Sequence, residues 1–168
     1  GDYTITSSWE NSQQIRDVKK DNRVETVTDG VNLNYYRNLP PKLECKRQLE
    51  LPLDKIIVTY TGALIPNKGI GYLQETILKV FKASYDVFFL IGGFPSDGMA
   101  VFIKENSLES SVRLISPLNY FDLPQILNAS DIGIDPKDSV IHQASGKILQ
   151  YMGAGLPVIC FDRENNRE

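Results

Sequence analysis

Residues 147–160, with the sequence KILQYMGAGLPVIC, contain the pattern that decides the fold. The first half predicts a short helix with three apolar side chains on one face, Ile148, Leu149 and Met152. Gly153 and Gly155 permit a close approach of the backbone and a left-handed end to the helix. The apolar run at 158–160 is typical of a buried, central strand of a parallel sheet. In open parallel sheets, such junctions between strands and helices line the ligand crevice.

The region before this segment alternates short apolar runs with amphipathic stretches. The apolar runs predict strands over 56–60, 87–91, 112–115, 131–134 and 158–161. Apolar residues at helical spacing predict helices over 70–81, 99–105, 123–127 and 146–151. Nearer the start, a strand over 3–8, a polar helix over 10–20 and a strand over 24–28 are predicted. This order predicts an α/β fold, a doubly wound parallel sheet with right-handed crossovers.

The composition is that of an ordinary globular protein. Of the 168 residues, 42% are hydrophobic and 23% are charged, and no apolar run is long enough to span a bilayer. The net charge of −3 argues against a nucleic-acid partner, because proteins that bind nucleic acids concentrate lysine and arginine. Cys45 and Cys160 form no CxxC pair, and Cys160 is expected in a core strand. Both thiols are therefore predicted to be reduced and structural, in a cytoplasmic protein.

Three further segments occur in a defined order before residues 147–160. They are TVTDGVNL at 26–33, YTGALIPNKGI at 60–70 and DLPQILNASDIGIDP at 122–136. In order and spacing, the four segments closely resemble those of family-4 glycosyltransferases, also called group 1. The resemblance implies a Rossmann-like domain that forms one half of a two-domain glycosyltransferase. It also implies transfer of a hexose, with retention, from a nucleoside diphosphate sugar to a saccharide or lipid-linked acceptor, without a metal or other cofactor.

The resemblance also implies a division of the chain. Residues 1–38 are expected to be an interdomain tail from the boundary with the acceptor-binding domain, and 38–42 a linker. Residues 39–168 are expected to be the donor-binding domain, truncated at its C-terminus. The expected partner is the N-terminal acceptor domain of the same protein. The resemblance leaves open whether the protein associates peripherally with a membrane through that domain. The isolated fragment is expected to be inactive in transfer.

Lys68 is the first predicted catalytic residue. It follows the strand that ends at Gly62. The loop after this strand, with Gly62 and Ala63, is expected to present backbone NH groups to the donor, and its lysine can reach a phosphate as a point charge. Many relatives share this task with an arginine directly after the glycine, where this chain has Ala63. Stabilisation of the leaving diphosphate is therefore expected to fall mainly on Lys68. The alternative is a solvated lysine at a loop end.

The start of the helix at Ser145 is the second predicted contact with the diphosphate. The amides of Gly146 and Lys147 are expected to hold the anion, because the first amides of a helix have no intrahelical partner. Ser145 is also a plausible N-cap, and the two roles are compatible. Relatives carry two glutamates in this region, and here Gln150 and His142 occupy those positions. Gln150 is expected to face the ribose, and His142 is predicted to be a catalytic residue facing the donor sugar. The alternative for His142 is a loop histidine that is simply exposed.

The base of the nucleotide is expected near the ends of two other strands. Gly92 follows the second strand and allows the backbone to approach a ligand, although a turn glycine needs no ligand. Ser116 and Leu118 follow the third strand, where relatives hold the base through main-chain groups.

Two other functions fit the same residues. A sugar-nucleotide epimerase can share the two-domain fold. A non-catalytic nucleotide-binding or scaffold domain is favoured by the absence of both glutamates.

Overall fold

The computed structural model describes residues 3–19, 23–138, 145–163 and 166–167. The chain begins with β1 (Thr4–Thr6), α1 (Trp9–Lys19) and β2 (Val24–Thr26). β1 and β2 form a separate parallel two-stranded sheet, and α1 is its crossover. The buried Ser12 hydroxyl of α1 lies 2.5 Å from Thr6 Oγ1 and 2.6 Å from Thr26 Oγ1. The strand, helix and strand predicted here are all present.

A second, five-stranded sheet is the centre of the molecule. Its strands are β3 (Ile56–Thr61), β4 (Val87–Gly92), β5 (Val112–Ile115), β6 (Ile132–Asp135) and β7 (Val158–Cys160). All neighbours are parallel, in the order β5-β4-β3-β6-β7. The predicted Rossmann-like, doubly wound sheet is therefore confirmed, and each strand lies within one residue of its predicted bounds.

Helices cover both faces of this sheet. They are α2 (Lys42–Gln48), α3 (Ile70–Lys82), α4 (Asp97–Glu105), α5 (Leu123–Asn128) and α6 (Gly146–Gly153). Leu73, Ile77 and Met99 of α3 and α4 pack with Val58 on one face. The opposite face carries Ile57 in a cluster with α2 and α5. Alternate side chains of β3 thus enter different cores, as the period of a strand requires.

The predicted linker at 38–42 is shorter than expected, because α2 begins at Lys42. Lys46 of this helix is buried and its Nζ donates to Asp131 Oδ2 at 3.1 Å and to the carbonyl of Lys55. Lys42 also pairs with Asp131, at 2.9 Å. These ion pairs fix α2 beside the start of β6.

The end of the chain departs from the expectation of a central strand. Among the described strands, β7 pairs only with β6, so it is an edge strand, and Ile159 is 56% exposed. Cys160 is likewise exposed, which corrects its predicted place in the core. Met152 of α6 is 63% exposed, and Tyr151 is the residue that this helix buries.

The two glycines of the opening segment behave as predicted. A Cβ built on Gly153 would lie 2.9 Å from Val31, so this position requires a close approach. Gly155 has a φ of +73° and ends α6 in the left-handed conformation. Among the described residues, no helix is both long and apolar enough to cross a membrane.

Candidate functional site

The sheet order creates a crevice between the carboxyl ends of β3 and β6. Crossovers lead away from these two neighbours in opposite directions, and ligands of doubly wound sheets bind at such a switch point. Lys68 ends a short 3₁₀ helix (Pro66–Lys68) after β3. Next to it, Gly69 has a φ of +77°, and a Cβ built there would lie 1.9 Å from the carbonyl of Pro136. The loop that carries Lys68 therefore lies directly against the backbone that follows β6.

A buried ion pair lies at the base of this crevice. Asp135, the last residue of β6, is 0% exposed and its Oδ1 accepts a hydrogen bond from Lys147 Nζ at 3.0 Å. The same ammonium lies 5.0 Å from the ring centroid of Tyr60. A Cβ built on Gly62 would lie 3.3 Å from Lys147 Cε, so the glycine leaves room for the lysine side chain.

Two further cations lie at the same edge of the sheet. Lys137 follows β6 and is 2% exposed, and Arg163 follows β7 and is 5% exposed. With Lys68 after β3, three adjacent strands each place a basic residue beyond the carboxyl end. These residues and Lys147 are here called the cation cluster.

The members of the cation cluster repel one another. Burial lowers the pKa of Lys137 to about 8, and neighbouring positive charges act in the same direction. These charges belong to Lys68, Lys147 and Arg163. The carboxylate of Asp135 acts in the opposite direction without cancelling them. Burial also lowers the pKa of Lys147, although Asp135 favours its charged form. Such a site favours an anionic ligand, because an anion offsets the repulsion.

The amino end of α6 opens onto a cavity of about 440 Å³. Ser145 occupies the N-cap position, but its side chain makes no capping hydrogen bond. Gly146 is exposed, and a Cβ built there would lie 3.7 Å from Asp29 Oδ2. An anion bound at these first amides would therefore have a carboxylate nearby, which weakens this part of the predicted diphosphate site.

Gln150 has a partner that the sequence did not indicate. Its Oε1 accepts a hydrogen bond of 2.6 Å from the hydroxyl of Tyr36, which lies between β2 and α2. Burial raises the pKa of Tyr36 to about 12, with Tyr120 as a second cause, so the phenol remains a donor at neutral pH. The carbonyl expected to face a ribose is therefore already engaged, whereas Nε2 makes no hydrogen bond to another described residue.

The glycine loop after β3 offers fewer free amides than its sequence indicates. The Gly62 amide donates to the carbonyl of Gly92 at 2.9 Å, and the carbonyl of Ala63 accepts from the Tyr60 hydroxyl at 2.7 Å. Gly62 and Ala63 thus shape the loop rather than present an amide and a carbonyl to a ligand.

The region after β5 is rich in aromatic side chains. A Cβ built on Gly92 would lie 3.1 Å from Leu118, so this glycine lets the leucine pack onto the sheet. Ser116 is exposed, and Leu118 is half-buried beside Tyr36. Several exposed aromatic rings surround this region: Tyr35, Tyr120 and Phe121. His142 lies outside the described residues.

A comparison with protein families decides the identity. The model of the group 1 glycosyl transferases matches residues 55–168, more than half of the chain. The chain belongs to this family. The match covers the whole five-stranded sheet of the glycosyltransferase domain. No curated protein sequence matches the chain.

Solved structures of glycosyltransferases have the same fold. A glycosyltransferase of Rickettsia africae is 21% identical, with a TM-score of 0.79, and the alignment covers 96% of this chain and 44% of that one. HepE of Anabaena, solved with UDP-glucose, is 18% identical with a TM-score of 0.79, and 99% of this chain and 46% of that one are covered. The chain therefore spans less than half the length of either protein.

A third solved structure is a single domain. The C-terminal domain of the group 1 protein LpcC from Francisella tularensis is 17% identical, with a TM-score of 0.61. The alignment covers 78% of this chain and 70% of that domain. This similarity shows that the two domains share a fold.

Within this glycosyltransferase domain, Lys68 and the side chain of Lys147 lie at the same edge of the sheet, whereas the sequence indicated a role only for the Lys147 amide. From the sequence, Asp135 was expected near the crevice and residues 137–143 as its loop wall, without a role for either the Asp135 or the Lys137 side chain, and Arg163 was missed. The available signal was that Lys137 and Arg163 follow predicted strands, whose carboxyl ends must meet at one edge of a parallel sheet. Among the described residues, no group of three histidine, cysteine or acidic side chains is placed to hold a metal ion.

Proposed function

We propose that this chain is the donor-binding half of a glycosyltransferase and holds a nucleoside diphosphate sugar at the carboxyl edge of its sheet. The observation that carries the proposal is the cation cluster at the switch point. A diphosphate needs local positive potential, and buried cations supply it despite a net charge of −3 for the chain.

Lys68 is the proposed partner of the leaving diphosphate. Negative charge grows on this group as the bond to the sugar breaks, so a lysine held beside it stabilises the transition state. Asp135 neutralises part of the positive charge of Lys147 and keeps its ammonium next to Gly62. Lys68 is more accessible to a ligand than Lys137, because Lys68 is half-buried and Lys137 is buried.

We further propose that a hexose is transferred with retention to a saccharide or lipid-linked acceptor held by a second domain. The support is membership of the family and the length of its relatives. Transfer needs the acceptor positioned against the anomeric carbon. Without such a domain, the chain alone is expected to bind the donor and not to transfer it.

A second candidate is a nucleotide-binding domain without catalysis. It is favoured by Gln150, whose carbonyl bonds to Tyr36 at a position where relatives carry a glutamate. Transfer measured on the whole protein separates the two, because a binding module gives donor affinity without turnover.

Calorimetric titration with UDP, GDP and ADP tests the proposed site. At least one of them is expected to bind, and Lys68→Met should weaken it by about 1–3 kcal/mol, as for a charge-assisted contact. Lys104→Met is the matched control, because Lys104 is exposed near the end of α4, at the opposite edge of the sheet. The absence of binding by all three nucleotides at millimolar concentration contradicts the proposal.

A further inference from the structure

The cavity at the amino end of α6 has an apolar side and a polar side. Its volume of about 440 Å³ is that of a small-molecule site. Trp9, the first residue of α1, lines it together with Ile148, Leu149 and Met152 of α6. We propose that this cavity binds one neutral sugar unit of the acceptor. The inference rests on the proposed function and specifies the acceptor as a neutral saccharide, whose remainder lies on the second domain.

Trp9 supplies a flat apolar surface in this cavity. It is 55% exposed, and its indole makes no hydrogen bond or ring contact with another described residue. One face of a pyranose ring carries mainly C–H bonds, and such a face packs well on a large aromatic ring. Met152 is 63% exposed and extends the apolar surface on the side of α6. This side of the cavity therefore favours a ligand with a flat, apolar face.

The polar side of the cavity consists of hydrogen-bonding groups that are left without partners. Asp29 is exposed, and its carboxylate makes no hydrogen bond or ion pair with another described residue. The hydroxyls of Ser7, Thr28 and Ser145 also line the cavity and make no hydrogen bond within the described part of the chain. Sugar hydroxyls both donate and accept, so a saccharide can satisfy the carboxylate and the hydroxyls at the same time.

The charge of the cavity decides between a neutral and an acidic ligand. Among the described residues that line it, Arg167 is the one basic residue, and its guanidinium bonds to both carboxylate oxygens of Asp162. Asp29 thus gives the cavity a negative charge. A carboxylate or phosphate on the ligand would be repelled by Asp29, whereas a hydroxyl can donate to it. The ligand that fits is therefore a neutral saccharide.

The cavity and the cation cluster flank the same end of α6. Ser145 and Gly146 line the cavity, and the side chain of Lys147, the next residue, reaches Asp135 of β6. A sugar held against Trp9 therefore lies across this helix end from the proposed diphosphate site. Transfer requires donor and acceptor to be held side by side in this way.

The test uses the fluorescence of Trp9, because it is the only tryptophan of the chain and reports on this cavity. The probes are the methyl glycosides of glucose, galactose, mannose and N-acetylglucosamine. At least one should change the fluorescence saturably, with a dissociation constant on the order of 1–10 mM. The methyl glycoside of the corresponding uronic acid should bind at least about threefold more weakly, because Asp29 repels its carboxylate. A saturating nucleoside diphosphate should leave the affinity for the neutral glycoside within about threefold.

Two variants separate the roles of the ring and the carboxylate, with ligand-observed NMR as the readout where the tryptophan is lost. Trp9→Ala should weaken the neutral glycoside at least about tenfold and leave the affinity for the nucleoside diphosphate within about threefold. Asp29→Asn should remove the discrimination against the uronic acid. Tyr85→Ala is the matched control for the ring, because Tyr85 is 67% exposed and precedes β4 at the opposite edge of the sheet. It should change none of these affinities, and thermal unfolding of each variant identifies loss of the fold.

Several outcomes overturn the inference while the donor site stands. They are absence of saturable binding by all the neutral glycosides, binding that Trp9→Ala leaves unchanged, and tighter binding of the uronic acid. Displacement of the glycoside by the free nucleoside diphosphate would also overturn it and assign the cavity to the donor. Absence of binding by every nucleoside diphosphate, with the glycoside still bound, instead refutes the proposed donor site.

Discussion

At the scale of single residues, Asp135 determines how the cations are arranged. It is fully buried, and Lys147 Nζ contacts only its Oδ1. Its Oδ2 is buried and makes no hydrogen bond among the described residues. This carboxylate therefore lies among several cations, and burial together with the repulsion between these cations lowers the pKa of Lys137, so that its charge state becomes sensitive to pH.

Donor affinity should consequently depend on the protonation of Lys137. Its pKa in the folded domain is lowered from the ordinary 10.5 to about 8, mainly by burial, so raising the pH through this value removes the positive charge of Lys137. An anion favours the charged form and takes up a proton on binding, so affinity should fall between about pH 7 and pH 9 by up to about tenfold. Calorimetry at several pH values measures this change.

The control for this prediction is Lys137→Met. This variant should bind the nucleoside diphosphate more weakly than the parent at pH 7, and its affinity should not fall as the pH is raised. Lys104→Met should keep the decline. An identical decline in the parent and in Lys137→Met would assign the titration to another group.

Gln150 carries a second prediction at this scale. A carboxylate at this position can accept from Tyr36 with one oxygen and from a ribose hydroxyl with the other, and bonds to a charged group are the stronger ones. Gln150→Glu should therefore tighten nucleoside diphosphate binding by about 1 kcal/mol, and Gln150→Leu should weaken it.

A 2′,3′-dideoxy nucleotide serves as the control, because it lacks the hydroxyls in question. If both variants bind like the parent and the dideoxy compound binds equally well, Gln150 does not contact the ribose.

At the scale of elements, α6 is held to the sheet through Tyr151. Its hydroxyl accepts a hydrogen bond from the Thr61 amide at 2.9 Å, and its ring lies over Gly133 of β6. A Cβ built on Gly133 would lie 2.5 Å from the Tyr151 ring, which is fully buried. The packing of the helix that starts the anion site thus requires a glycine in the neighbouring strand.

Gly133→Ala should destabilise the domain by about 1–3 kcal/mol, the usual cost of overpacking a core. Chemical denaturation measures it. The matched control is Gly71→Ala in α3, where a built Cβ meets nothing within 4 Å, and this change should be stabilising by up to about 1 kcal/mol. Equal stability of Gly133→Ala and the parent would show that α6 can move away from the sheet without cost.

The elements that sequence patterns predicted are those whose apolar residues are set by local periodicity. The strands β3 to β6 and the helix α3 follow this rule. α2 was missed because it has few apolar residues and is held by Asp131, 85 residues beyond Lys46 in the chain. The exposure of β7 was also not predictable, because a strand with an apolar sequence becomes central or peripheral only through the order of the sheet.

The candidate site was predicted only where a motif is contiguous. Lys68 and the start of α6 belong to such motifs, so the sequence indicated both, and their contact with a donor stays a prediction. Arg163 joins the site because β7 lies next to β6 and ends at the same edge of the sheet, a relation that no local pattern contains. The Tyr36–Gln150 hydrogen bond joins residues 114 positions apart and was missed for the same reason.

At the scale of the whole molecule, sheet topology and charge lead to the same place. The order β5-β4-β3-β6-β7 puts the switch point between β3 and β6, and the cation cluster lies at that point. The chain as a whole is acidic, so this local excess of positive charge is not a consequence of composition. It is a feature of the crevice, and an anion that binds the domain should bind there.

The central claim is that the diphosphate binds at this edge of the sheet, and amide NMR shift mapping tests it most directly. Titration with the nucleoside diphosphate that binds most tightly should shift the amides next to the cation cluster, at Ala63, Lys68, Gly146 and Lys147. Amides at the opposite edge, such as those of Ile56 and Val87 at the starts of β3 and β4, should remain within the experimental scatter. Shifts confined to that opposite edge, or saturable binding with no change at the four site amides, would contradict the account.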